Sequence, residues 1–77
     1  MPTLYATGSW KITMYFHDHS PPHFHILTKD HREVQIRIVD FTVMAGGVPA
    51  ATLRAALAWA AAHKPVLSAQ WEELHHR

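Results

Sequence analysis

The chain has 77 residues, enough for one small domain. A hydrophobic share of 48% argues against disorder, and a formal charge of +1 argues against a dedicated DNA-binding domain. The absence of cysteine excludes disulfides and thiolate metal sites, so any metal must be held by His, Asp or Glu. The longest apolar stretch, Ala55 to Ala62, is too short to span a bilayer. No basic region followed by an apolar run opens the chain, so a cytoplasmic protein that stays off membranes is expected.

In chain order, Leu4 to Thr7 reads as a short strand and Gly8-Ser9 as a hairpin turn. Trp10 to Phe16 alternates, with Trp10, Ile12, Met14 and Phe16 on one face and Lys11, Thr13 and Tyr15 on the other. Pro21 and Pro22 cannot both sit inside a paired strand, so Ser20-Pro21-Pro22 is a turn. His23 to Thr28 is the next strand, with Phe24 and Ile26 opposite His23 and His25. After the polar turn Lys29 to Arg32, Glu33 to Val39 alternates again, with Val34, Ile36 and Ile38 as its apolar set. Asp40 to Met44 either extends this strand past a bulge or forms a short further one, and Gly46-Gly47 is expected to break it.

Pro49 suits the first turn of a helix, where its missing N–H costs nothing. Leu53, Ala56, Leu57 and Ala60 recur at helical spacing, and Pro65 ends that helix near His63. A second helix runs from Pro65 with Val66, Leu67, Trp71 and Leu74 as its apolar stripe. Trp59 and Trp71 read as core or helix contacts, and His75, His76 and Arg77 as a frayed tail. The expected fold is one α+β domain over 1–77. An antiparallel three- to four-stranded β-meander precedes two C-terminal α-helices packed on one sheet face. Trp10, Ile12, Met14, Phe16, Phe24, Ile26, Val34, Ile36 and Ile38 would then face the helices. The opposite face would carry Lys11, Thr13, Tyr15, His17, His23, His25, Gln35 and Arg37.

The densest chemistry lies in His17-Asp18-His19-Ser20-Pro21-Pro22-His23-Phe24-His25, which holds four of the eight histidines. Two His-x-His pairs flank the proline turn, and alternate residues of a strand share a face. One reading is a metal site from His19, His23 and His25 with His17 or Asp18 added. Neutral imidazoles and a carboxylate suit a divalent transition metal such as zinc or nickel. A second reading is metal-independent acid–base cleavage of RNA by two histidines. Lys11 or Arg37 would then stabilise the developing negative charge, and Tyr15 would stack on a base. A third is structural: the polar groups brace the turn or meet a partner protein.

The segment Met14 to Ile26, with its Asp-His-x-Pro-Pro-His-Phe-His core, resembles the signature of a small prokaryotic family known as domain of unknown function 4160. Met1-Pro2-Thr3, Gly47-Val48-Pro49, Leu57, Trp59 and Trp71 fit the same pattern. The resemblance implies a small protein partner encoded by a neighbouring gene. Such proteins are often encoded beside a member of the family known as domain of unknown function 2442, in pairs proposed to be toxin–antitoxin systems. Carried over residue by residue, the motif covers Asp18, His19, His23 and His25. His17 stands where the family more often has Asn. The leading expectation is a small interaction protein of a two-gene, toxin–antitoxin-like module, working through the histidine-rich turn. The alternative is a metal-binding or RNA-cleaving enzyme using the same histidines. RNA remains open as a partner, as does a homodimer.

Overall fold

The computed structural model describes residues 3–75. Five strands precede two helices: β1 (Thr3–Ala6), β2 (Trp10–Thr13), β3 (His23–Thr28), β4 (Glu33–Arg37), β5 (Val43–Gly47), α1 (Ala50–Ala62) and α2 (Lys64–His75). The strands form one antiparallel sheet in the order β1-β2-β3-β4-β5. The fold is therefore α+β as expected, with five strands where three to four were predicted.

The fifth strand, Val43–Gly47, runs later than the short further strand allowed at Asp40 to Met44, because Gly46-Gly47 continues it and does not break it. Gly46 instead lies inside β5 with φ +76°, opposite Val34. A Cβ there would sit 2.2 Å from the Glu33 carbonyl oxygen, so glycine is what lets the two backbones approach. The register shifts between Gln35 and Ile36, a bulge in the β4–β5 ladder. The extension of β4 to Val39 does not occur either. Asp40 takes both the Arg37 guanidinium and the Thr42 N–H, which turns the chain after Arg37. Those bonds hold the Asp40 carboxyl well below the usual carboxylate range, the Arg37 contact first.

Alternation places Ile12, Ile26 and Val34 in one cross-strand row and Phe24 and Ile36 in another. These side chains are buried, and Ala56 and Ala60 of α1 and Leu67 and Trp71 of α2 complete the same core with Met14 and Ile38. Phe16 departs from its predicted core place and is 67% exposed. The chain leaves the sheet after Thr13, because Asp18 folds back on Tyr15: its N–H donates to the Tyr15 carbonyl and its carboxylate accepts the Tyr15 N–H. Strand parity therefore stops before Phe16 and His17.

Both helices lie where the proline and periodicity signals put them. Pro49 caps α1 from just outside, and Pro65 sits in the first turn of α2. Lys64 ties the start of α2 to the β4–β5 turn by donating to the Val39 carbonyl at 2.7 Å. Among the described residues no helix is long and apolar enough to cross a membrane.

Candidate functional site

His23 and His25 point away from Phe24 and Ile26, as β parity requires, yet they are only 5% and 4% exposed. The far face of the sheet is covered here by the loop from Met14 to Pro22. The Tyr15 ring lies edge-on to His25, with centroids 4.6 Å apart, and Asp18 reaches in between the two imidazoles. Burial, then the negative charges of Glu33 and Asp18, push the Tyr15 phenol above its ordinary pKa.

Three donor atoms converge. Asp18 Oδ2 lies 3.0 Å from His25 Nε2 and 3.7 Å from His23 Nε2, and all three atoms fall within 4.8 Å of one another. Ligands about 2.1 Å from a tetrahedral zinc lie about 3.4 Å apart, so the two carboxylate–imidazole distances bracket that spacing. The outer nitrogens are engaged as well. His23 Nδ1–H donates to the Pro21 carbonyl at 2.8 Å, and His25 Nδ1–H donates to the Glu33 carboxylate. This fixes both rings and turns both Nε2 atoms inward, the arrangement in which a carbonyl or carboxylate orients a ligating histidine. The Ser20-Pro21 peptide bond is cis, and the turn it makes presents the Pro21 carbonyl to His23.

The C-terminal half of α2 closes the site. Trp71 contacts His23, with ring centroids 5.3 Å apart, and His75 stacks on Trp71 at 3.8 Å. His75 Nε2 meets the Asp18 carbonyl oxygen at 3.0 Å across 57 residues of sequence. His75 is therefore packed into the fold, contrary to the frayed tail expected of it; His76 and Arg77 lie outside the described residues. A cleft of about 420 Å³ opens beside Asp18, lined by Phe16, His17, His19, Trp71 and His75.

Of the five candidate metal ligands, Asp18, His23 and His25 come together, while His17 and His19 are exposed and stand outside the group. The nucleic-acid candidates do not assemble. Arg37 is held by Asp40 at 3.0 and 2.7 Å, Tyr15 packs on His25, and Lys11 lies toward the opposite end of the sheet, paired with Leu27. Glu33 and His75 were missed as site residues. Glu33 was partly legible: it shares the polar parity of β4 and sits diagonally across from His25, since His25 pairs with Gln35 and Leu27 with Glu33. Nothing local in the sequence marks His75.

A family model described as domain of unknown function (DUF4160) matches residues 9–72, a span that includes Asp18, His23, His25 and Glu33. No curated protein and no solved structure matches the chain.

Proposed function

The chain belongs to that DUF4160 family, and we propose that it is a small cytoplasmic metal-binding protein whose Asp18, His23 and His25 hold one divalent transition ion such as zinc or nickel. The observation that carries this is the convergence of two Nε2 atoms on one carboxylate while both Nδ1 atoms are tied to acceptors. Three protein ligands leave a further coordination position, as in catalytic rather than closed structural sites. Metal-independent cleavage of RNA draws no support from this geometry, because both rings are enclosed and Arg37 is committed to Asp40.

Calorimetric titration of zinc and nickel into tag-free, chelator-stripped protein tests the proposal. One-to-one binding is expected, lost in His23→Ala/His25→Ala. Metal at 100 times its Kd should stabilise the fold by about 2.7 kcal/mol. Glu33→Gln, which leaves the three ligands in place, should weaken binding roughly 10–100-fold. Absence of stoichiometric binding, or binding indifferent to these substitutions, would count against a metal centre.

A second reading, an interaction protein of a two-gene toxin–antitoxin-like module, is favoured by the exposed apolar side chains Phe16, Val39, Val43 and Val66. Co-expression with the product of the adjacent gene checks it. A complex weakened by Phe16→Ser or Val43→Ser supports the reading, and no complex at all argues against it.

A further inference from the structure

The three residues proposed to hold the ion are enclosed: His23 and His25 are buried, and the Asp18 side chain is only 11% exposed. A hydrated ion therefore needs a path inward. Asp18 is the ligand that faces the cleft of about 420 Å³. Trp71 and His75 reach that cleft from α2, and Phe16, His17, His19 and Ser20 reach it from the β2–β3 loop.

The imidazoles at the cleft differ in what already engages them. His75 has both ring nitrogens against carbonyl oxygens, Nδ1 with Trp71 at 2.9 Å and Nε2 with Asp18 at 3.0 Å. His17 and His19 are exposed and make no hydrogen bond or ion pair among the described residues. His17 touches only rings, Tyr15 with centroids 5.8 Å apart and Phe16 edge-on at 5.6 Å. An imidazole with unengaged nitrogens can take a metal without first giving up a partner.

The backbone keeps both histidines beside the inner site. They are the chain neighbours of Asp18, with Cα atoms about 3.8 Å from its own. The Asp18 N–H donates to the Tyr15 carbonyl at 3.1 Å and the Asp18 carboxylate accepts the Tyr15 N–H at 3.2 Å, which fixes this stretch of loop. The Tyr15 ring stands between His17 and His25 as a neighbour of each.

We propose that His17 and His19 form an outer capture site for a divalent transition ion, which they bind in the cleft and pass to Asp18, His23 and His25. This role rests on the metal reading above. During transfer the inner carboxylate and imidazoles replace the outer imidazoles and bound water one at a time. The outer pair lowers the barrier in both directions, so it sets how fast the ion enters and leaves and not how tightly it is held.

Stopped-flow loading of chelator-stripped protein with zinc tests this, read by tryptophan fluorescence because Trp71 touches His23. Calorimetry gives the Kd. His17→Ala/His19→Ala should slow loading and release each by about tenfold, a modest change for association rates within one variant series. Its Kd and metal-free melting temperature should match those of the wild type. His31→Asn is the control and should load at the wild-type rate. His31 is exposed on the β3–β4 turn at the other end of the sheet, and asparagine tolerates its φ of +68°. Stoichiometric binding with unchanged loading in the double variant would overturn the capture role and leave the metal reading standing. Slowing by His31→Asn as large as that of the double variant would overturn it too. A Kd weakened in step with the loading rate would make His17 or His19 a resident ligand and likewise overturn it. No zinc binding by the wild type would remove the metal reading itself, and the capture site with it.

Discussion

Phe24→Ala is expected to cost about 3–5 kcal/mol of folding stability, the range for truncating a buried phenylalanine. Phe24 is fully buried and meets Phe41 edge-on, with centroids 6.2 Å apart. It pairs with Ile36 in the middle of the sheet, so its removal leaves a cavity that the strands cannot close without shifting register. For a domain of this length each kcal/mol moves the melting temperature by roughly 4–8 °C, so the change is easily measured by thermal melting. Small domains have little stability to spare, so a measurable unfolded fraction of the variant is expected at growth temperature. Because Phe24 stands between His23 and His25, any population that remains folded should also show weaker binding at the proposed metal site. An unchanged melting temperature would mean that Phe24 does not lie in the core.

Gly46→Ala is the second large effect expected, at least about 2 kcal/mol, combining a left-handed backbone with a steric clash. A methyl group at this position would meet only backbone: the Glu33 carbonyl oxygen at 2.2 Å, the Glu33 carbonyl carbon at 3.2 Å and Val34 Cα at 3.3 Å. No rotamer change relieves such contacts, so β5 must move away from β4. Since Glu33 holds the outer nitrogen of His25, the strain should reach the proposed metal site and lower its affinity. Gly47→Ala is the matched control, because a Cβ there meets nothing within 4 Å and φ is not in the left-handed region. Urea denaturation should separate the two variants clearly, and amide exchange should report early opening of β5 in the first alone. Equal stability of the two would remove the argument for close backbone approach at Gly46.

Much of this was legible along the chain. The alternation of His23, Phe24, His25 and Ile26 assigned each side chain to a face correctly, and the prolines at 49 and 65 marked both helix starts. The histidine-rich segment was identified as the densest chemistry, and its Asp18, His23 and His25 do converge. These features are local: side-chain direction in a strand and the geometry around proline depend on the residues themselves.

What sequence reading missed depends on where the chain goes after an element ends. Parity placed Phe16 in the core, but the Asp18 to Tyr15 bonds end the strand regularity first. Gly46-Gly47 looked like a break because a glycine pair carries the same local signal whether it ends a strand or admits a close neighbour. Arg37 looked free for phosphate until the turn brought Asp40 back to it.

The sequence by itself determined an α+β order of elements, the facing of the sheet residues and the residue types available to a metal. Only the tertiary structure decided that the non-core face is enclosed at His23 and His25, that Glu33 orients one ring, and that His75 closes the site from 57 residues away. Periodicity governs direction over a few residues, whereas enclosure and convergence arise from contacts between segments distant in the chain.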